Sequence, residues 1–418
     1  VGFGVLWGAI LGVTVQYILA SESGRYTIAT GGSVYAAFRQ LSKWLSVWFI
    51  LSTFFSFAWP GIIGSGGEIF GHILGVENHQ YLTVLMLITI GLLLTLGGTV
   101  YQTLENFQKF VIIVSIPILT IIMLLVVSPE AVVGLIKGLF GLGDGYTFLP
   151  SDIDIPLFLG AIAYAGAGGN LIMSHSFYLQ DEGLGMAKNV DSQVKFGDTQ
   201  DKHLIKGEPF TINELNMQKF KRWMGLVHLE QFITFWGIGL ISIIMLTLIS
   251  FSLAHPYNGA DGLNFIFIQG TELNDRFGRV FELFFLGVGV LFLFKTQLGI
   301  FETTSRIMTE NLQLLSEKIR NKFSRSNIFF FFLWSQILAG ILISLANLRE
   351  PLGILLISTF FSAVSMVGVA VSLLWLMNSK LIPPELRPSK QKRALMFGGM
   401  LFYAIFVILT IADLLGIM

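Results

Sequence analysis

Long apolar runs joined by short polar segments make up most of this chain. A helix needs about 20 residues to cross about 30 Å of hydrocarbon, and a window of that size finds ten apolar runs of sufficient length. None of them alternates apolar and polar residues as the strands of a membrane barrel do. The pattern therefore predicts an all-α polytopic membrane protein with ten spans. The predicted spans are 3–20, 44–63, 81–100, 106–127, 155–180, 226–253, 278–300, 328–346, 351–377 and 394–414.

The fifth predicted span differs from the others because its centre is rich in glycine and polar residues. It reads AYAGAGGNLIMSHSFYLQ over 163–180, and each glycine destabilises a continuous helix by roughly 1 kcal/mol. From Pro156 to Asn170 a helix would rise about 22 Å, which places Asn170 near or just past the middle of the bilayer. We therefore predict two half-helices with a non-helical joint at about 169–173.

Two interpretations of this break follow from the residues alone. Backbone groups that are freed inside a membrane are tolerated only against protein or a water-filled cavity, and secondary transporters use such broken helices to bind ions. The alternative is close helix packing through small residues. In that case Met173 fills space and His175 makes an internal hydrogen bond.

The composition agrees with a membrane protein and excludes several classes of function. Hydrophobic residues make up 54% of the 418 residues and charged residues only 12%, whereas a soluble domain has about 25% charged residues. A net charge of zero gives no reason to expect a nucleic-acid partner. Cysteine is absent, the six histidines are scattered, and HExxH and GxSxG motifs do not occur. We therefore expect neither an enzyme nor a bound cofactor.

The basic residues indicate the orientation in the membrane. If Val1 lies outside, the loops that face the cytoplasm hold 21 of the 26 lysines and arginines, and the outer loops hold 4. This asymmetry places the segments 181–222 and 301–327 in the cytoplasm. The first predicted span then enters from outside, so either the N-terminus is external or one more helix precedes Val1.

The segment 181–222 is the longest polar stretch, and we interpret it as a connector within a single transporter domain over 1–418. Thr211 and Glu214 have the spacing of a capping box, which predicts a short helix that leads into the span at 226. His228 and Glu230 are interpreted as interfacial. Lys295 lies within the seventh span, where an ionisable residue suggests function, although a lysine near the inner side can also snorkel.

Several motifs resemble one family of membrane transporters. MSHSFYL at 173–179 resembles the Met-Pro-His-x-x-Tyr-Leu signature in the sixth helix of the Nramp divalent metal transporters. AYAGAGGN at 163–170, DEGLGM at 181–186, YILASESGRYTIATG at 17–31 and FAWPGIIGSG at 57–66 resemble a divergent bacterial branch of that family. The resemblance implies a LeuT-like fold of two inverted repeats in a bacterial inner membrane. It also implies that the ten spans are family helices two to eleven, with the first helix upstream of Val1.

The resemblance further implies a metal site between two broken helices. The thioether of Met173 and the backbone carbonyl of Asn170 would be ligands, while an Asp and an Asn would come from the first family helix. His175 would lie beside the site in gating or proton movement. A sulfur ligand favours transition metals such as Mn²⁺ or Fe²⁺ over Mg²⁺ and Ca²⁺. The metal is then a substrate carried by alternating access, and the functional unit is expected to be a monomer.

The chain departs from the family pattern at several positions. Ser174 replaces the family proline, and Gln180 stands where the family has a second histidine. Ala58 and Gly61 stand where the third family helix carries acidic residues on a proton route. Proton symport and uniport therefore both stay open. Gln180 and Lys295 are candidates for a gating or proton path. Lys295 would act there as a fixed cation in place of a mobile proton.

Two other kinds of carrier remain alternatives. A LeuT-like carrier of a small organic solute such as an amino acid would use the broken helix to bind a carboxylate or an amine, and it would not need Met173. A transporter of the Mg²⁺ type would rely on oxygen ligands.

Overall fold

The structure is a computed structural model, and it describes residues 2–96, 100–143, 146–148, 155–189, 207–254, 262–346 and 351–415. Within these ranges nine helical stretches are long and apolar enough to cross a membrane. The α-helices are α1 (Leu6–Thr30), α2 (Val34–Leu41), α3 (Lys43–Phe57), α4 (Gly61–Leu74), α5 (His79–Leu96), α6 (Val100–Val126), α7 (Pro129–Leu139), α8 (Ile155–Ala163), α9 (His175–Asp181), α10 (Glu214–Gln231), α11 (Ile238–Ala254), α12 (Asn264–Phe277), α13 (Arg279–Leu315), α14 (Glu317–Lys322), α15 (Arg325–Ala346), α16 (Pro351–Asn378) and α17 (Lys390–Leu414).

The remaining regular structure is short. Four 3-10 segments lie at Gly2–Val5, Gly169–Ser174, Gly185–Asn189 and Pro384–Leu386, and a π-helical segment, Phe232–Gly237, joins α10 to α11. Two residues in each of β1 (Leu142–Gly143) and β2 (Tyr146–Thr147) pair antiparallel. The all-α prediction is therefore confirmed. Nine predicted spans coincide with long helical stretches of the described residues, the second of them kinked between α3 and α4, whereas the fifth is broken near its middle.

The predicted C-terminal end of the first span is wrong because polar residues pair inside the protein. α1 continues to Thr30, ten residues beyond the predicted end, and Arg25 is buried on it. The carboxylate of Glu22 accepts hydrogen bonds from Arg25 and, at 3.1 Å, from Lys392. His228 is also part of this cluster, since its Nε2 lies 2.7 Å from Lys392 Nζ. Paired charges allow the helix to stay buried where the sequence predicts a loop.

The segments predicted as cytoplasmic loops contain more helix than expected. α13 runs to Leu315, so the segment 301–327 consists of the end of α13, all of α14 and the start of α15. In the segment 181–222, α9 ends at Asp181 and α10 begins at Glu214. The cap of α10 is Asn213, whose side chain accepts a hydrogen bond from the backbone N–H of Asn216, so the predicted Thr211 cap is wrong. The part of this segment over 190–206 lies outside the described residues.

The described helices pack around the fifth span. α13 lies against α3 and α4, and α16 lies against α3, α8 and the 3-10 segment Gly169–Ser174. The kink between α3 and α4 at Pro60 brings the backbone of Gly61 against α16, where an added Cβ would lie 2.5 Å from the amide nitrogen of Leu355. No side chain fits at this position without a shift of the backbone.

Candidate functional site

The fifth span is broken in the structure. α8 ends at Ala163, the 3-10 segment begins at Gly169, and α9 begins at His175. The predicted break is confirmed, although the non-helical backbone begins at 164 rather than at about 169. Gly168 and Gly169 have φ values of 73° and 45°, in the region that side chains with a Cβ rarely adopt. Glycine at these two positions therefore allows the chain to turn between the two half-helices.

A glutamine from α1 satisfies backbone groups on both sides of the break. Gln16 is fully buried, and its Nε2 donates to the carbonyl of Ala163 at 3.1 Å. Its Oε1 accepts from the backbone N–H of Gly168 at 3.1 Å. The same Nε2 lies 3.2 Å from the hydroxyl of Tyr403 on α17. Gln16 therefore replaces hydrogen bonds that the helix loses at the break. The sequence signal was a single amide within an otherwise apolar span.

Asn170 is the first candidate ligand and is fully buried. Its Nδ2 donates to the hydroxyls of Ser52 at 2.8 Å and Thr53 at 2.7 Å, both on α3. Its backbone carbonyl accepts a hydrogen bond from Tyr35 at 3.3 Å, which leaves a second lone pair on that oxygen. Its Oδ1 is buried and has no hydrogen-bond partner within the described part of the chain. Asn170 thus brings two oxygen atoms with unused acceptor capacity to the break.

Met173 is the second candidate ligand, and the structure buries it completely in the main apolar core. The backbone carbonyl of Met173 accepts a hydrogen bond from Ser176 at 2.8 Å. A thioether in this environment contributes to packing whether or not it binds a metal. Because this side chain is fully buried, its truncation would leave a cavity.

The residues that follow in α9 make contacts with α1. Nδ1 of His175 lies 3.2 Å from the carbonyl of Ala20, and its Nε2 is buried and has no partner among the described atoms. Nε2 of Gln180 donates to the carbonyl of Gly31 at 3.0 Å. Gly31 ends α1 in a left-handed conformation. Both candidate gating residues therefore join α9 to α1.

Hydroxyl groups on α16 form a polar face toward the break that the sequence analysis did not identify. Ser358, Ser362 and Ser365 are spaced four and three residues apart, which places them on one helix face. An added Cβ at Gly168 or Gly169 would lie 3.0 Å from Ser362 Oγ. Ser365 Oγ lies 2.9 Å from Ser56 Oγ on α3, and Ser358 Oγ lies 2.5 Å from the hydroxyl of Tyr164. The spacing of small polar residues within an apolar span was the available signal.

Two cavities border the break. One, of about 440 Å³, is lined by residues of the broken span from Tyr164 to Ser174 and by Thr296, Gly299 and Thr303 of α13. The other, of about 450 Å³, is mainly apolar and lies between α1, α8, α11 and α16. Tyr164 and Leu355 line both cavities. We call the first of these the break cavity.

The 3-10 segment and the helices packed against it therefore bring carbonyl, amide and hydroxyl oxygens and one thioether sulfur to the neighbourhood of the break. Neutral oxygens and a thioether can replace water around a cation. Among the described residues no group of three His, Cys, Asp or Glu side chains is arranged to hold a metal ion. Lys295 lies on α13 one turn before Gly299, which lines the break cavity.

No protein-family model and no curated protein matches this chain in sequence. Solved structures do resemble it. A histidine-to-alanine mutant of the Eremococcus coleocola manganese transporter aligns with a TM-score of 0.68 and 12% identity, over 98% of this chain and 80% of that chain. A glutamate-to-alanine mutant gives a TM-score of 0.66, and a complex with an aromatic bis-isothiourea substituted compound gives 0.63, at the same identity and coverage.

These likenesses define the class of fold. The chain has a LeuT-like transporter fold, as the resemblance in the sequence implies. Together with the nine apolar helices in the described residues, this fold makes the protein an integral, multi-pass membrane protein.

Proposed function

We propose that this protein transports divalent transition-metal ions, with Mn²⁺ or Fe²⁺ as the best substrates. The observation that supports the proposal is the break in the fifth span, where Asn170 and Met173 lie in a buried 3-10 segment that packs against α3 and α16. The Eremococcus coleocola manganese transporter, which has the same fold, supports this substrate class. The metal is cargo, and the protein needs no cofactor and has no enzymatic role.

The proposed mechanism is alternating access, in which the break binds the ion and opens to one side at a time. The proposed ligands are the carbonyl of Asn170 and the sulfur of Met173, and the proposed gating residues are His175, Gln180 and Lys295. We propose that one chain is the transporting unit and that it lies in a bacterial inner membrane. The excess of basic residues supports a cytoplasmic position for the segments 181–222 and 301–327.

The coupling ion is the second part of the proposal. Ala58 is buried, and Gly61 has no room for a side chain beside Leu355. These are the two positions at which the resemblance leads us to expect acidic residues, and neither residue is acidic. The missing acids support uniport over proton symport.

Uptake into proteoliposomes that contain the full-length protein tests the function. We expect saturable uptake of Mn²⁺ that Cd²⁺ inhibits and that Mg²⁺ inhibits only weakly. A pH gradient should change the initial rate by less than about twofold if transport is uniport. Empty liposomes and liposomes with an unrelated membrane protein are the controls.

A carrier of small organic solutes is the second candidate function, and the mainly apolar cavity of about 450 Å³ favours it. Such a cavity can hold an amino-acid side chain. Saturable amino-acid uptake without metal flux would establish this second function and contradict the first.

A further inference from the structure

Helix α13 carries charged residues on the side that faces the broken span. Positions seven apart on a helix lie about two turns, or about 10.5 Å, apart on nearly the same face. Lys295 and Glu302 have this spacing, and Arg306 follows Glu302 one turn later. The three charges therefore form a row along α13. We refer to Lys295, Glu302 and Arg306 as the α13 charge row.

The charge row borders the break cavity. Gly299 and Thr303 of α13 line that cavity, and they lie beside Lys295 and Glu302 on the helix surface. The hydroxyl of Thr303 donates to Glu302 Oε2 at 3.1 Å. Glu302 is half-buried. The carboxylate of Glu302 is thus hydrogen-bonded to a residue that lines the cavity, although Glu302 itself is not one of the lining residues.

The other charged groups nearby are paired with one another. Both oxygens of Asp181 accept hydrogen bonds from Arg306, at 2.6 and 2.7 Å. Glu310 lies 3.4 Å from a nitrogen of Arg325. Within the described ranges no Lys, Arg or His nitrogen lies within 4.0 Å of the carboxylate of Glu302. Among these groups in the described ranges, Glu302 is therefore the acid that has no basic partner within 4.0 Å.

A divalent ion at the break requires such a charge. The carbonyl of Asn170, the thioether of Met173 and the hydroxyls of α16 are neutral ligands. Moving an ion from water into a low-dielectric interior costs several kcal/mol even after relaxation. A nearby carboxylate offsets this cost, and carboxylate oxygen is a preferred ligand of divalent ions. A fixed ammonium group raises the cost.

We propose that Glu302 supplies the negative charge that stabilises a divalent cation bound at the break, and that Lys295 opposes it. Glu302 is thereby a cation-binding residue of the transport path. The opposing effects of Glu302 and Lys295 together set the apparent affinity for the metal ion. This inference rests on the proposed metal transport. It adds to the site a carboxylate that no motif in the sequence indicates.

The test compares the KM for Mn²⁺ uptake in proteoliposomes of the full-length protein and of charge variants. Glu302→Gln keeps the size of the side chain and removes its charge, so KM should rise about tenfold or more. Glu302→Asp keeps the charge and should stay within about threefold of the unchanged protein. Lys295→Gln removes the opposing charge and should lower KM severalfold. If Glu302 and Lys295 had only a structural role, neutralising each of them would not be expected to shift KM in opposite directions.

The matched control is Glu317→Gln on α14, because the side chain of Glu317 is 84% exposed and its charge is screened by solvent. Its KM should not change. Size-exclusion profile and melting temperature establish that each variant is folded. A folded Glu302→Gln protein with KM within twofold of the unchanged protein overturns the proposal. If Glu302→Gln does not fold, an unchanged KM in Lys295→Gln overturns it instead. Absence of metal uptake by the unchanged protein overturns the proposed function itself.

Discussion

The carboxylate of Asp181 and the guanidinium of Arg306 form a two-point ion pair between α9 and α13, at 2.6 and 2.7 Å. The same guanidinium carbon lies 4.6 Å from the centre of the Phe177 ring, one turn earlier on α9. Paired hydrogen bonds and a cation over a ring fix the geometry of a contact more tightly than a single ion pair. The C-terminal end of α9 is therefore held against α13.

The first prediction is that Asp181→Asn releases this end of the broken span. The chain has no cysteine, so Ser174→Cys, which lies in the wall of the break cavity, gives a single reporter thiol. We expect that thiol to react about tenfold faster with a membrane-impermeant reagent added on the Asp181 side, a shift of ~1.4 kcal/mol. Arg320→Gln, which disturbs an exposed pair, is the control. Equal labelling rates would mean that the pair does not hold the span closed.

The second prediction concerns Gln16. Gln16→Leu keeps the approximate volume but leaves the carbonyl of Ala163 and the amide of Gly168 without their partner. Each buried polar group that loses its partner costs roughly 1–3 kcal/mol, so we expect a loss of about 2–5 kcal/mol and slower transport. Thermal unfolding in detergent measures the first effect and proteoliposome uptake the second.

A second glutamine provides the comparison for Gln16. Gln297 on α13 is also buried, but its Oε1 makes no hydrogen bond to the described residues. Gln297→Leu should therefore be neutral or stabilising. If both variants lose the same stability, the contacts of Gln16 with the break do not explain its effect.

The third prediction separates the sulfur of Met173 from its packing. Because Met173 is fully buried, Met173→Ala would leave a cavity and cost about 2–5 kcal/mol. Met173→Leu conserves volume and should cost less than about 1.5 kcal/mol. If the thioether is a ligand, Met173→Leu should lower the preference for Mn²⁺ or Cd²⁺ over Mg²⁺ or Ca²⁺ about tenfold. Competition uptake assays measure this ratio.

The control for the sulfur is Met377→Leu, because Met377 is equally buried but lies at the end of α16. It should leave the ion ranking unchanged. Met186→Ala, near the inner end of the broken span, should also leave it unchanged. An unaltered ranking in Met173→Leu would make the methionine a packing residue only.

The fourth prediction tests the conformation of the break. Gly168 has a φ of 73°, and an added Cβ would lie 2.8 Å from Cδ1 of Tyr164. Gly168→Ala should therefore cost about 1–3 kcal/mol and reduce the amount of folded protein. Gly239→Ala in α11 has no atom within 4 Å of the added Cβ and should change stability by at most about 1 kcal/mol, in the favourable direction. Fluorescence-detected size exclusion on heating compares the two variants, and a Gly168→Ala protein as stable as Gly239→Ala would show that the break does not need glycine.

The sequence by itself determined the helices and the position of their interruption. Apolar runs of sufficient length must be helical in a membrane, because a helix satisfies its own backbone groups. The glycines between Tyr164 and Asn170 weaken the helix whatever packs around them, because their conformational freedom is a property of the residues themselves. The motifs around Met173 pointed to the same span. The roles of Met173, His175, Gln180 and Lys295 in transport stay predictions.

Only the tertiary structure decided which groups complete the site. Gln16 reaches Ala163 and Tyr403 across 147 and 387 residues of sequence, and no local pattern encodes such a partner. The pairing of Glu22 with Lys392 likewise extends α1 beyond its apolar run. The burial of Met173, and the lack of a basic partner for Glu302 among the described residues, depend on which side chains the neighbouring helices place beside them. Hydrogen-bond satisfaction and charge balance are properties of the packed assembly, whereas helix formation and its interruption are largely local.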